Sequence, residues 1–166
     1  MRNFLNNTIF VILCFSFIEA RYPDAVGLNG MVVSSNKLAT EVGIEVLKNG
    51  GNAIDAAISV GFALAVTHPG AGNIGGGGFM VIRFADGTTT SIDFRETAPR
   101  LANKDMFLDN DGNVIKGKSW STSYSVGVPG TVAGFGYAHE KYGTMPWSSL
   151  LYPSINLAKY GFPLDY

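Results

Sequence analysis

Residues 67–100 read THPGAGNIGGGGFMVIRFADGTTTSIDFRETAPR, and this stretch organises the rest of the chain. Six of the 21 glycines fall within residues 70–78. Two runs rich in β-forming residues follow, 79–84 and 88–94, and the Asp-Gly pair between them predicts a hairpin. The stretch ends with a charged segment that contains Arg95.

Two helices are predicted upstream of the glycines. The first, residues 36–48, carries apolar side chains at spacings of three and four, which indicate a buried face: Leu38, Val42, Val46 and Leu47. Asn-Gly-Gly at 49–51 ends it, because glycine adopts the left-handed conformation at little cost. Asn52 and Asp55 resemble a capping box for the second helix, 53–67, which is apolar nearly all round and is expected to be buried on several sides.

Shorter patterns predict the remaining elements. GMVVSS at 30–35 is typical of a short strand. TVAGFGYAHEKY, between a proline and Gly143, predicts a helix over 131–142. Another helix is expected over 146–160, in which Pro153 predicts a kink or a later true start. Ser119 to Ser125 reads as a strand or a loop.

The composition is that of one globular domain. The chain has 166 residues, 46% of them hydrophobic and 15% charged, with a formal net charge of −1. No basic patch is evident, so nucleic acid is not an expected partner. DNDGN at 109–113 resembles the start of a calcium loop, but the register places Val114 and Trp120 where glycine and glutamate are required, so a turn is predicted.

The first twenty residues have the layout of a secretory signal. A positive start is followed by the apolar run 8–18 and by Glu19-Ala20, after which cleavage is expected. The apolar run is about half the ~20 residues that span a bilayer. We therefore predict a signal peptide over 1–20 and an exported protein, periplasmic or secreted. The only cysteine, Cys14, lies inside it, so no disulfide or thiolate site is expected in 21–166.

Several motifs lend themselves to chemical interpretation. Gly70, Gly72 and Gly75 match GxGxxG, but the motif follows a helix and precedes a strand, the reverse of a dinucleotide loop, so close packing and positive φ explain the glycines better. His68 and His139 lack partners at metal-ligand spacing, and the threonines at 88–90 lack a visible base. The sequence therefore predicts no catalytic residue, metal or cofactor.

Arg95 is the remaining candidate for a site. A lone arginine is commonly a solvated surface residue. This one follows a strand and precedes the turn-forming 96–99, where a guanidinium can hold a carboxylate with two parallel hydrogen bonds. From spacing alone both interpretations stay open.

Four linked segments carry a family resemblance. LKNGGNAIDAA, AVTHPGAGNIGGGGFM, DFRETAP and PGTVAGF, with KYGTMPW, resemble the N-terminal part of the large subunit of γ-glutamyltransferase, also called γ-glutamyltranspeptidase or glutathione hydrolase. The resemblance implies an α+β fold, part of the αββα sandwich of the N-terminal-nucleophile hydrolases. It also implies a precursor that cuts itself, a threonine nucleophile opening the small subunit, and an arginine, here Arg95, that binds the α-carboxylate of the γ-glutamyl group.

The Thr-Thr-His stretch that opens the family's small subunit has no counterpart in these residues. Residues 21–166 are therefore expected to form an incomplete, truncated large-subunit domain with exposed apolar surface, inactive by itself. Its expected partners are glutathione or other γ-glutamyl compounds and a complementing chain that carries the small subunit. The alternatives are a non-enzymatic truncated remnant and a γ-glutamyl-binding protein without catalysis.

Overall fold

The fold is described by a computed structural model over residues 25–164. The predicted signal peptide, 1–20, lies outside these residues. The described chain divides into 25–31, which carries no helix or strand, and 32–164, which holds every element described below. No helix in this part of the chain is long and apolar enough to cross a membrane.

Four helices and one hairpin make up the larger unit, with a 3₁₀ turn at Ser123–Ser125 inside the long connection that follows the hairpin. In chain order the elements are α1 Lys37–Lys48, α2 Ala53–Thr67, β1 Phe79–Arg83, β2 Thr89–Asp93, α3 Thr131–Tyr142 and α4 Trp147–Tyr160.

Most predicted elements are confirmed to within about a residue at each end, while one predicted strand and one of the two alternatives for Pro153 are wrong. Residues 30–35 form no strand, because they pair with no other strand among the described residues and an isolated extended segment is not a sheet. Helix α4 continues across Pro153 from its start at Trp147, so the later start is also wrong.

Helix α1 ends where it was predicted to end, and its buried face agrees with the prediction only at Val46. The Asn36 side chain accepts hydrogen bonds from the first turn, and Gly50 follows the helix with φ of 89°. The buried positions are Ala39, Gly43 and Val46, whereas the predicted Leu38 and Val42 are only half-buried beside them. A Cβ on Gly43 would lie 2.6 Å from a methyl of Val60 on α2. The two helices approach so closely that small residues occupy the centre of their contact.

Helix α2 is the hub of the unit, packing against α1, α3 and α4. The predicted burial on several sides is confirmed, with Ile58 and Ala63 fully inaccessible. A side chain on Gly61 would collide with the ring of Phe135 on α3. The Ser59 hydroxyl donates to the carbonyl oxygen of Leu150 on α4 at 2.9 Å, which satisfies a buried polar group.

The hairpin lies against the helices with one face. Ile82 and Ile92 belong to the main apolar core, and the strands pair in antiparallel register, with Ile82 opposite Thr90. The other face is open: Phe79 is 63% exposed and Val81 is 80% exposed. The expected exposure of apolar surface is therefore confirmed for this face.

A buried carboxylate ties the start of α2 to the turn between α3 and α4. Asp55 is inaccessible to solvent and accepts hydrogen bonds from the Thr144 hydroxyl at 2.6 Å and from the Asn52 backbone at 2.9 Å. Asn52 in turn donates to the Tyr142 carbonyl oxygen at 2.6 Å. Burial raises the pKa of Asp55, but hydrogen bonds from Thr144, Asn52 and Met145 outweigh it and hold this pKa below its ordinary value of 3.8.

We expect Asp55→Asn to lower the free energy of unfolding by about 2 kcal/mol at neutral pH, because the new NH₂ group would face donors that need an acceptor. The folded pKa of Asp55 is depressed, so its contribution is complete above 3.8 and is lost as pH falls through the lower folded value. Urea unfolding from pH 7 downward should show the difference between wild type and variant shrinking below pH 3.8. A constant difference would contradict the role, and Asp105→Asn, at an exposed position, is the control.

Candidate functional site

Arg95 lies directly after β2, where the chain is held from two sides. On one side the Phe94 backbone donates to the Gly78 carbonyl oxygen at 3.0 Å. On the other side Thr97 and Val128 exchange backbone hydrogen bonds at 3.3 and 2.8 Å. Arg95 therefore sits between the glycine run and the segment that leads into α3.

The glycine run and the start of α3 are also joined directly. The Gly76 carbonyl oxygen accepts from the backbone of Gly130 at 2.8 Å and of Thr131 at 3.0 Å. The Thr131 hydroxyl donates to the Asn73 side-chain oxygen at 3.3 Å. Three segments thus meet around Arg95, namely 76–78, 94–97 and 127–131, and we call their meeting point the arginine junction.

The Arg95 side chain itself is loosely held. It is 70% exposed, and its one ion pair among the described residues is with Glu96 at 3.9 Å. An exposed pair at this distance contributes little to stability. The Arg95 backbone is better fixed, since its N–H donates to the Asp93 carboxylate at 2.9 Å. The guanidinium therefore keeps its donors available to a ligand while the chain beneath it is anchored.

Arg95 borders a cleft of about 530 Å³ between the junction and the long connection to α3. Hydroxyl groups from Thr97, Ser119, Tyr124 and Ser125 line the cleft. Glu96, the loose partner of Arg95, is also among the lining residues, and the other walls are largely apolar: Ala98, Pro99, Ala102, Met106, Phe107, Val126 and Gly127. The Arg95 guanidinium can bind an anionic group of a ligand there, and no histidine is among the lining residues to act as a base.

The glycines of residues 70–78 allow close packing and do not adopt unusual backbone angles. No glycine of 70–78 has a positive φ, so that part of the prediction is wrong. Close packing is confirmed, because a Cβ on Gly72 would collide with the Leu64 carbonyl oxygen and one on Gly78 would lie 2.9 Å from the Phe94 ring. The run joins α2 to β1, which confirms the reversed order that argues against a dinucleotide loop.

The other sequence candidates have structural roles. A ring nitrogen of His139 lies 2.7 Å from the Met145 carbonyl oxygen, and His68 ends α2. Thr89 and Thr90 are strand residues of β2, and the Thr88 hydroxyl donates to the Asp86 carboxylate at 2.7 Å in the hairpin turn. Residues 109–113 form the predicted turn, with Gly112 at φ of 83° and a bridge between Leu108 and Val114. No group of three or more His, Cys, Asp or Glu with metal-binding geometry occurs in residues 25–164.

Sequence reasoning missed two parts of the site. Tyr124 and its neighbouring hydroxyls line the cleft from a connection that showed no periodicity. Gly130 contacts the arginine segment across some 35 positions of sequence. The sequence carries only a weak signal for the contact made by Gly130. Pro-Gly before a helix predicts that a helix starts there, but it does not tell whether that start packs against another backbone segment.

Three comparisons with known proteins agree. The gamma-glutamyltranspeptidase family model matches residues 39–166. The chain is 61% identical over 137 residues to the glutathione hydrolase proenzyme of Pseudomonas sp. (strain A14), covering 82% of this chain and 24% of that protein. It is 58% identical over 133 residues to the Escherichia coli (strain K12) glutathione hydrolase proenzyme, covering 80% of this chain and 23% of that one.

A solved structure agrees in three dimensions as well as in sequence. The Helicobacter pylori gamma-glutamyltranspeptidase crystal structure superposes with a TM-score of 0.80 at 53% identity, covering 84% of this chain and 40% of that one. The chain spans about a quarter of the length of the curated relatives named above.

We expect Arg95→Ala to change the free energy of unfolding by less than about 0.5 kcal/mol, because the side chain is exposed and loosely paired. Phe94→Ala should lower it by about 2 kcal/mol or more, since that ring packs against the core. Urea unfolding of both variants is the measurement. A loss in Arg95→Ala as large as that in Phe94→Ala would mean that Arg95 is a structural residue.

Proposed function

The chain belongs to the gamma-glutamyltranspeptidase family, and we propose that its arginine junction binds the α-carboxylate of a γ-glutamyl compound such as glutathione. The chain shares part of the N-terminal-nucleophile hydrolase fold of its structural relatives, as a mixed helix-and-strand unit. In the proposed activity the γ-glutamyl amide is cleaved and the glutamyl group passes to water, an amino acid or a peptide.

The observation that carries the proposal is an exposed guanidinium on an anchored backbone at the edge of a cleft. A guanidinium can give a carboxylate two parallel hydrogen bonds, and each charged hydrogen bond contributes about 1.5–3 kcal/mol. Because Glu96 is the only charged partner of the Arg95 guanidinium among the described residues, and at 3.9 Å, a ligand carboxylate displaces little. Lysine could not reproduce the two-point contact.

Binding and bond cleavage are separate tasks at this site. Attack on an amide needs a nucleophile with a base within hydrogen-bond reach. Ser119, Tyr124 and Ser125 carry hydroxyl groups, but no histidine or lysine is among the residues that line the cleft. We propose that residues 1–166 supply substrate binding and that the nucleophile comes from a small-subunit segment, on a complementing chain, outside these residues.

We expect residues 1–166 by themselves to release no chromophore from a γ-glutamyl chromogenic amide. Addition of a chain carrying the rest of the large subunit and the small subunit should give turnover. In the completed protein Arg95→Ala should raise KM by tenfold or more, the loss of about one charged hydrogen bond, with a smaller change in kcat.

Arg100→Ala is the matched control, because Arg100 is exposed, close in sequence and absent from the cleft lining. An unchanged KM in Arg95→Ala would remove Arg95 from the binding site. Turnover by the isolated residues would contradict the division of tasks. An inactive mixture of well-folded chains would favour the non-enzymatic remnant.

We also propose that the chain is exported, with cleavage after Ala20, on the strength of its N-terminal layout. Expression of the full chain in a Gram-negative host should yield a periplasmic product whose N-terminal residue is Arg21, read by mass spectrometry. Val11→Arg, which interrupts the apolar run, should retain the protein in the cytoplasm. Cytoplasmic wild-type protein that still begins at Met1 would contradict export.

A further inference from the structure

The backbone of Phe94 and Arg95 is enclosed by two glycines that come from distant parts of the chain. A Cβ on Gly77 would lie 2.7 Å from the Glu96 nitrogen and 2.8 Å from the Arg95 Cα. A Cβ on Gly130 would collide with the Phe94 carbonyl oxygen and lie 3.3 Å from that of Arg95. Both contacts are with backbone, which cannot rotate away as a flexible side chain can.

Packing around the Phe94 ring also holds the Phe94–Arg95 segment in place. A Cβ on Gly134 of α3 would collide with the Phe94 Cγ, and one on Gly78 would lie 2.9 Å from the far edge of the ring. The ring also meets Phe135 edge to face, with centroids 5.7 Å apart. The residue before Arg95 therefore has its side chain and its backbone held at once.

We infer that Gly77 and Gly130 are positioning residues for Arg95, setting the point from which its guanidinium enters the cleft. The inference rests on the proposed function. A long side chain with several rotatable bonds holds a carboxylate at two points only if its Cα stays in place, and a displacement of about 1 Å can cost up to a hundredfold in activity. A methyl group at either glycine forces the glycine segment or the Phe94–Arg95 backbone to shift.

The chain supplies matched controls for both positions. A Cβ on Gly75, two residues before Gly77, meets no atom within 4 Å. A Cβ on Gly136, six residues after Gly130 and inside α3, meets none either. All four glycines have ordinary negative φ, so alanine is compatible with each backbone and only the available space differs.

The test is an NMR titration of the ¹⁵N-labelled chain with glutathione, following the Nε–Hε signal of Arg95, which is assigned by its loss in Arg95→Ala. Gly77→Ala and Gly130→Ala should shift this signal in the unliganded protein and weaken binding by about tenfold or more. Gly75→Ala and Gly136→Ala should match wild type in both respects. A purely structural role would lower the melting temperature and leave the Arg95 signal of the folded protein unchanged.

Gly78→Ala is the second variant, needed if Gly77→Ala or Gly130→Ala shows no cooperative melting. Its methyl group would press only on the far edge of the Phe94 ring, at 2.9 and 3.3 Å, so the protein should fold. We expect a smaller shift of the Arg95 signal and a smaller loss of affinity. An unchanged signal and affinity in Gly78→Ala would then overturn the inference.

Failure of the inference and failure of the proposed function have different signatures. If Arg95→Ala binds glutathione as wild type does, the proposed function fails, while a shifted Arg95 signal in Gly77→Ala still supports positioning. If Arg95→Ala weakens binding but folded Gly77→Ala and Gly130→Ala do not, and the Arg95 signal stays in place, the inference alone is overturned.

Discussion

The structure depends on one constraint, the close approach of backbone to backbone around Phe94. The glycine run, the exit of the hairpin and the start of α3 come together there, and the backbone N–H groups of Gly130 and Thr131 share the Gly76 carbonyl oxygen at 2.8 and 3.0 Å. Any side chain on Gly130 or Gly134 would collide with Phe94. Glycine is thus required for the space it leaves, and without that space the hairpin and α3 could not share a core.

Small residues also allow the helices to approach one another closely. Helix α2 contacts three helices, and small residues occupy its closest approaches: Gly61 receives the Phe135 ring, and Gly43 of α1 receives a methyl of Val60. The ends are then secured by polar groups. Buried Asp55 joins the α2 N-terminus to the turn before α4, and its hydrogen bonds compensate for removing a charge from water.

Phe94 and Arg95 are neighbours in sequence but have different roles at the site, one structural and one chemical. Phe94 packs against the apolar core, whereas the side chain of Arg95, the next residue, is 70% exposed. Recognition of a carboxylate at two points needs an exposed guanidinium on an anchored backbone. The conformational entropy of that backbone is then lost during folding and not during binding. The other face of the hairpin is open, with Val81 80% exposed.

The sequence by itself determined what depends on neighbouring residues: the capping box at Asn52, the hairpin turn, the helix bounds to within about a residue and the position of Arg95 after a strand. It failed at 30–35, because an apolar alternation makes a strand only where a partner exists. For the glycine run it was right about close packing and wrong about positive φ, since the same residue type serves both purposes. Only the tertiary structure placed Gly130 against Phe94 and Tyr124 near Arg95, because those contacts join segments about 30 residues apart whose meeting is set by packing, not local pattern.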